Sequence, residues 1–283
     1  MNSKEPKKNS LDQTKKKILL NVLKKLVNFN KIDAIILYGS QVSGYATEKS
    51  DYDVIVLVSD YKKNIRYKYI DGEIQVSAII VKTNLFINDA KNAHLGEFAV
   101  GRLLNPYLPI KGEVLCRKIE LIYKKRIILE IINELHHKYG KNIMKLEIPV
   151  EYFLFEKLKK RANLYPPVQY SYIKTYQGSV KEKNLQIACE IFIKGIRELE
   201  KENIVGFKNN VIYNIKIEEK NKIRNSLSNV KRGIKHYIVH LYAGRISPKI
   251  AKRELFSKIS RTKKIKKVPV FLKNPEKLIK ISK

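Results

Sequence analysis

The sequence predicts an α+β fold in which a strand-containing N-terminal domain precedes a mostly helical C-terminal region. Short apolar runs between glycine, asparagine and aspartate indicate strands in the N-terminal part, whereas apolar residues at helical spacing dominate the remainder. With 283 residues and 44% hydrophobic composition, the chain is long enough for two domains with packed cores.

The N-terminal domain is expected at residues 18–115, after a polar, lysine-rich leader at residues 1–17. Its expected elements, in chain order, are a helix at 18–29, a strand at 33–38, a short helix or turn at 41–47, strands at 52–59 and 73–81, and a helix at 85–102. The turn signal Asp71-Gly72 precedes the third strand and favours antiparallel pairing with a neighbour.

The C-terminal half begins with a connecting helix within residues 116–148. Further helices are expected at 150–164 and 184–203, and the turn Lys208-Asn209-Asn210 predicts a hairpin between short β-like runs at 204–207 and 211–215. Residues 196–205 resemble the end of a winged-helix recognition helix that runs into its wing. We therefore expect a winged-helix-like module at 149–217.

The positive charge of the chain suggests a polyanionic partner, most often RNA or DNA. The net charge is +31 and the isoelectric point is about 9.9. Residues 216–283 hold 21 basic and 4 acidic residues, a net charge of +17. This predicts a basic helical region and tail at 218–283, with helices at 223–242 and 248–259. AT-rich codon usage is an alternative source of the lysines.

Two classes of protein are disfavoured by the sequence. No apolar run approaches the roughly 20 residues of a membrane span, and no apolar signal region follows the N-terminus, so we expect a cytoplasmic protein without membrane contact. Cys116 and Cys189 lie far apart and lack a C-x-x-C partner. They are expected to be reduced and buried, which disfavours a zinc site.

The residues that carry chemistry are concentrated between Ile35 and Val58. One apolar run stops at Gly39-Ser40, and Asp51 and Asp53 open a second run. Alternate residues of a strand share a face, so the two carboxylates should point the same way. Such a pair is tolerated best around a cation, and oxygen ligands suit Mg²⁺. A glycine and the N–H groups of a helix start suit phosphate.

This stretch resembles the DNA polymerase β-like nucleotidyltransferase superfamily, whose motif is an apolar strand, Gly-Ser, a spacer and Asp-x-Asp on another strand. The resemblance implies a mixed sheet flanked by helices, and transfer of a nucleoside monophosphate from a nucleoside triphosphate (NTP) to an acceptor. Gly39 and Ser40 would bind the triphosphate, and Asp51 and Asp53 would bind Mg²⁺. Three lysines are alternatives for a further phosphate contact: Lys49, Lys62 and Lys63.

The motif does not include the third carboxylate of the family pattern. The third carboxylate normally lies on the next strand, where this sequence has Gln75 or Ser77. We expect Glu73, in phase at the start of that strand, to be the third catalytic and metal-binding carboxylate, and Glu97 is a weaker candidate. Without a third carboxylate, the protein would be a slow transferase or a non-catalytic nucleotide binder.

Three functions therefore stay open. The first is a Mg²⁺-dependent nucleotidyltransferase whose acceptor is nucleic acid. The second is a nucleotidyltransferase that modifies a small molecule or a protein, as aminoglycoside-modifying and toxin–antitoxin relatives do. The third is a winged-helix nucleic-acid-binding protein that carries a degenerate nucleotidyltransferase domain as a ligand sensor.

Overall fold

Five strands form one mixed sheet in the N-terminal part of the computed structural model, which describes residues 12–216, 229–244 and 269–281. The strands are β1 (Ile32–Tyr38), β2 (Tyr52–Val58), β3 (Ile65–Ile70), β4 (Val76–Lys82) and β5 (Leu108–Lys111). Their order is β3-β4-β2-β1-β5. Strands β2 and β4 run parallel and the other neighbours are antiparallel. The mixed sheet implied by the resemblance is confirmed.

The central strands are mostly apolar because helices cover both faces of the sheet. Helix α1 (Gln13–Lys24) packs Leu19 and Leu23 against one face, which includes Leu37 of β1 and Val56 of β2. The opposite face, with Ile36 and Ile55, belongs to the larger core. Helix α2 (Ser40–Ser43) follows β1, and α3 (Thr83–Asn92) and α4 (Glu113–Tyr139) cover this second face.

The rest of the described chain is mostly helical around a small second sheet. Its helices are α5 (Val150–Leu164), α6 (Val168–Thr175), α7 (Lys181–Lys201), α8 (Asn229–Tyr242) and α9 (Val270–Lys273). The sheet has the order β7-β8-β6-β9, from β6 (Leu146–Pro149), β7 (Gly206–Lys208), β8 (Val211–Tyr213) and β9 (Lys280–Ile281). The predicted hairpin is confirmed. The winged-helix assignment and the domain boundaries stay predictions.

The sheet has two strands that the pattern did not predict. Residues 65–70 form β3, where Ile65 is buried and Tyr67 packs against the core, although basic side chains between them hide the alternation. Residues 108–111 form β5, which pairs with β1. The strand predicted from Glu73 begins only at Val76. Its predicted antiparallel pairing is confirmed, because β3 and β4 form a hairpin.

Two predicted helices have different limits. The helix expected at 85–102 ends at Asn92, because Ala93 takes a left-handed conformation with φ of +52°. The following loop has two more left-handed residues, Gly96 and Glu97. Helix α1 starts at Gln13, inside the expected leader, because the Asp12 side chain caps it by accepting from the Thr14 N–H.

Several predictions fall partly or wholly on residues that the structure does not describe. The helix expected at 248–259 lies outside the described residues, and so does the start of the helix expected at 223–242. The remainder of that second helix is α8. Within the described ranges, no helix has both the length and the apolar composition that a bilayer crossing requires.

Candidate active site

The turn after β1 brings the glycine-serine pair against the second aspartate of the motif. Gly39 has φ of +81° and ψ of −153°, a backbone conformation that favours glycine. A Cβ added to Gly39 would lie 2.5 Å from Oδ2 of Asp53. Ser40 then begins α2. The Gly39-Ser40 turn and the Asp53 carboxylate therefore form one continuous surface.

The two aspartates stand at the start of β2, and both are half-buried. Asp53 lies opposite Tyr38 of β1 and Ser77 of β4. It alternates in phase with Ile55, which belongs to the core on the α3–α4 side of the sheet. Asp51 also reaches this side, because Ser77 donates a hydrogen bond to its Oδ2. Both carboxylates thus face the helical half of the molecule.

Ser77 is one of the two residues, with Gln75, that stand where the resemblance places a third carboxylate. It lies opposite Asp53 in the β2–β4 register and is 4% exposed. Its hydroxyl also lies 3.0 Å from the hydroxyl of Tyr67 on β3. The Ser77 hydroxyl therefore contacts Asp51, and the Tyr67 hydroxyl contacts Ser77.

Glu73 and Lys49 both lie in exposed loops beside the motif. Glu73 belongs to the loop before β4, so it is not in phase within the strand as predicted. Among the residues that the structure describes, no three histidine, cysteine or acidic side chains are grouped to hold a metal. Lys49 lies in a turn closed by a 2.9 Å hydrogen bond from the Thr47 N–H to Ser50 Oγ. The roles of Glu73 and Lys49 stay predictions.

Helices α6 and α7 contact the site from the side that the carboxylates face. The Tyr45 hydroxyl lies 2.9 Å from Ser171 Oγ on α6. Burial raises the pKa of Tyr45, the hydroxyls of Ser171 and Thr175 oppose this rise, and the negative charge of Asp53 adds to it. Asn184 of α7 donates to the Ser43 carbonyl at 2.9 Å and to the Thr175 carbonyl at 2.8 Å. Helix α2 is therefore fixed by the C-terminal half.

A basic residue near this edge of the sheet was missed by the sequence reasoning. Arg102 lies in the 3₁₀ turn Val100–Leu104, and its guanidinium carbon is 5.8 Å from the ring centroid of Tyr38, which pairs with Asp53. Tyr45, Ser171 and Asn184 were missed as well. Their proximity arises from contacts between distant segments, for which the linear sequence carries no signal.

Glu97, the weaker candidate for the third ligand, is fully engaged elsewhere. Its carboxylate is 2% exposed, and its cationic partners are Arg126 and Lys157 at 2.7 Å, Arg161 at 3.2 Å and Arg232 at 3.4 Å. Although burial opposes ionisation, these charges hold the pKa of Glu97 well below its usual range. Glu97 therefore serves an internal ion network and is excluded as a ligand of the Asp51–Asp53 site.

The two cysteines of the chain are buried. Cys116 and Cys189 are both buried free thiols, as predicted. Burial raises the pKa of each thiol to about 12. Both side chains therefore stay protonated and unreactive near neutral pH.

The donor chemistry of the site fits one Mg²⁺ ion. Asp51 and Asp53 present carboxylate oxygens on one side of the sheet, next to a backbone turn with room only for glycine. Magnesium is commonly held by one or two carboxylates, and substrate phosphates and water supply its other ligands. Two carboxylates therefore match the number of protein ligands that Mg²⁺ commonly takes in a metal–nucleotide complex.

Comparison with known proteins agrees with this geometry. Residues 21–99 match the family model described as polymerase beta, nucleotidyltransferase. The matched segment runs from within α1 to the loop after α3, so it contains Gly39, Ser40 and both aspartates. No curated protein matches the chain. The chain therefore carries, in its N-terminal part, a nucleotidyltransferase domain of the polymerase β-like superfamily.

Proposed function

We propose that this protein is a Mg²⁺-dependent nucleotidyltransferase that moves a nucleoside monophosphate from an NTP to an acceptor on nucleic acid. The observation that carries the proposal is the contact between the Gly39 backbone and the Asp53 carboxylate. It joins a phosphate-binding turn to a metal-binding pair in one site. The family match supports a nucleotidyltransferase function in general.

The roles of the site residues follow from their chemistry. Mg²⁺ held by Asp51 and Asp53 would neutralise phosphate charge and align the displacement. The backbone of Gly39 and the N–H and hydroxyl of Ser40 would bind triphosphate oxygens. Glu73 remains our proposed third carboxylate. Two cations are candidates for further phosphate contacts: Lys49 and Arg102.

A nucleic-acid acceptor is supported by charge outside the site. Residues 216–283 carry a net charge of +17. Within the described residues, a groove of about 500 Å³ lies between α7 and the β7–β8 hairpin. Its lining includes Arg197, Lys201 and Lys208, and its one acidic residue, Glu200, accepts a hydrogen bond from the Phe207 N–H. Such a basic groove suits a phosphate backbone, which gives affinity with little sequence preference.

The presence of Ser77 at the third-carboxylate position favours one alternative, a nucleotide-binding protein without turnover. Such a protein would bind NTP and nucleic acid but would not transfer a nucleotide. A transferase that acts on a small molecule or a protein is the other alternative, and its small-molecule form leaves the net charge of +31 unexplained.

Incubation of the full chain with each α-³²P-labelled NTP, Mg²⁺ and total tRNA or single-stranded DNA tests the proposal. We expect label to be transferred to nucleic acid. Asp51→Asn and Asp53→Asn should each lower transfer by at least about 100-fold, because both remove a metal ligand. Asp60→Asn is the matched control, since Asp60 is an exposed aspartate after the same strand, 3.8 Å from Lys31.

The other outcomes separate the alternatives. NTP binding without transfer to any acceptor would support the non-catalytic protein. Transfer only to protein or to an added small molecule would support the second alternative. Full activity in Glu73→Gln would show that the third carboxylate is wrongly assigned, without affecting the rest of the proposal.

A further inference from the structure

A buried hydroxyl stands near the start of β4, before its apolar run from Ala78 to Val81. Ser77 lies between Val76 and Ala78 and is 4% exposed. A buried hydroxyl costs free energy unless it is hydrogen-bonded. Ser77 meets this requirement through two contacts. Tyr67 lies on β3, on one side of β4, and Asp51 immediately precedes β2, on the other side.

The direction of these hydrogen bonds follows from the number of hydrogen atoms available. An ionised carboxylate only accepts, so the single hydrogen of Ser77 goes to Oδ2 of Asp51. The Ser77 oxygen is then the acceptor for the Tyr67 hydroxyl, 3.0 Å away. Tyr67 is held in turn, because its backbone N–H donates to the Ala243 carbonyl at the end of α8, at 2.7 Å. These two hydrogen bonds form a relay, in which Tyr67 donates to Ser77 and Ser77 donates to Asp51.

The relay constrains the carboxylate of Asp51. With Oδ2 accepting from Ser77, rotation of the carboxylate is restricted, and Oδ1 is the oxygen left for a cation. In metal sites, partners that fix a ligand in this way typically contribute about 10- to 100-fold to metal affinity. An acidic side chain at position 77 would instead add a third negative charge beside Asp51 and Asp53.

We infer that Ser77 and Tyr67 are positioning residues, which hold Asp51 in the orientation that binds a divalent cation. This inference rests on the proposed function of the Asp51–Asp53 site. It predicts that the hydroxyl of residue 77, and not merely its size, sets the affinity for the metal. The phenol of Tyr67 should matter for the same reason, through Ser77.

Binding of Mn²⁺ to the full chain, followed by the electron paramagnetic resonance signal of free Mn²⁺, tests this inference. The titration is run with Mn²⁺ alone and with the α,β-methylene analogue of each NTP. We expect Ser77→Ala to weaken binding by about 10-fold or more and Tyr67→Phe by a few-fold. Ser77→Thr, which keeps the hydroxyl, should stay within about threefold of wild type.

Ser59→Ala is the matched control for the loss of a serine–aspartate hydrogen bond on the same sheet. Ser59 Oγ donates to Asp33 Oδ1 at 2.6 Å, just after the other end of β2. Its removal should leave Mn²⁺ binding unchanged. Thermal unfolding of each variant without metal shows whether the losses of stability parallel the losses of Mn²⁺ affinity. A merely structural role would lower stability without changing the Mn²⁺ affinity of the folded protein.

The outcomes distinguish this inference from the proposed function. Wild-type Mn²⁺ affinity in Ser77→Ala, together with loss of binding in Asp51→Asn, would overturn the inference and leave the proposed function standing. Equal binding in wild type and Asp51→Asn, or no binding in either, would overturn both. If Ser77→Ala does not fold, Tyr67→Phe decides the question, because it removes one hydroxyl and keeps the ring.

Discussion

Gly39 meets two requirements that no other residue type meets together. Its φ of +81° lies in the left-handed range, where a side chain is strained. Its α-carbon also faces Asp53 so closely that a Cβ would lie 2.5 Å from Oδ2. The first requirement concerns stability, whereas the second concerns the position of Asp53, a proposed metal ligand.

Gly39→Ala should therefore abolish function by displacing Asp53. We expect a loss of transfer of about 100-fold or more, since a displacement of 1 Å at a reacting centre can cost this much. Gly140→Ala is the control, because Gly140 has a similar backbone conformation, φ +55° and ψ −134°, with no atom within 4 Å of an added Cβ.

The control should lose about 1 kcal/mol or more of stability from backbone strain and keep its activity. Steady-state transfer assays and urea unfolding separate the two effects. Equal activity losses in both variants would show that strain, and not contact with Asp53, is what matters at Gly39.

The sequence is most informative about residues whose neighbours are close along the chain. Gly39, Asp51 and Asp53 lie within one strand–turn–strand unit, so their spacing alone indicated a shared site. Ser77 and Tyr67 are brought to Asp51 by the β3–β4 hairpin, whose first strand was missed. That Ser77, rather than Gln75, faces Asp51 could therefore be found only from the strand register.

Among the helices, α2 is the shortest at the site, and it is held in place by α6 and α7. Helix α2 has four residues, too few to be stable alone. Asn184, which is 1% exposed, joins it to α6 by donating to the carbonyls of Ser43 and Thr175. The Gly39-Ser40 turn is thus oriented by α7, a helix outside the segment that matches the family model.

Asn184→Ala should both destabilise the protein and weaken nucleotide binding. Two buried carbonyls would lose a donor, which we expect to cost about 2 kcal/mol in the free energy of unfolding. The KM for NTP should rise several-fold, because α2 would lose its link to α6 and α7.

Gln186→Ala on the same helix is the control, since Gln186 is exposed. Its effect on stability should stay within about 0.5 kcal/mol. Urea unfolding and NTP titration of the transfer rate provide the measurements. An unchanged KM in a folded Asn184→Ala variant would mean that α2 keeps its orientation without this link.

The error in the predicted end of α3 has the same cause, because a local sequence pattern does not show where distant contacts end a helix. Helical periodicity continues past Asn92, yet Ala93 ends α3 with a left-handed residue, and the loop is held by Asp89, which accepts from the N–H groups of Leu95 and Glu97. This loop places Glu97 in the interior. The predicted helix through residue 102 did not indicate that Glu97 belongs to a buried ion network.

Over the whole molecule, Glu97 connects the family-matched domain to three helices of the remaining chain. Its carboxylate contacts Arg126 of α4, Lys157 and Arg161 of α5, and Arg232 of α8. Glu130 is the second carboxylate in the network. Helix α8 is held at its other end as well, where Ala243 accepts from the Tyr67 N–H on the sheet edge.

Glu97→Gln should therefore be among the most destabilising single changes in the chain. The variant keeps the shape of residue 97 but leaves the four cations with Glu130 as the remaining carboxylate of the network. Breaking a buried ion pair by removing one partner typically costs about 3–5 kcal/mol. Urea unfolding measures the loss, and Glu190→Gln, which removes an exposed partner of Lys194, should cost at most about 0.5 kcal/mol.

The pH dependence gives this prediction a second, independent check. Burial lowers the pKa of Lys157 from 10.5 to about 8, although Glu97 raises it in part. Loss of Glu97 should lower that pKa further, whereas the unfolded lysine keeps its usual pKa. The folded variant then releases the proton at a lower pH than wild type, so stability lost at pH 6 should be partly recovered as the pH rises toward 8. A gap between variant and wild type that stays constant over this range would show that Lys157 is not the cation left uncompensated.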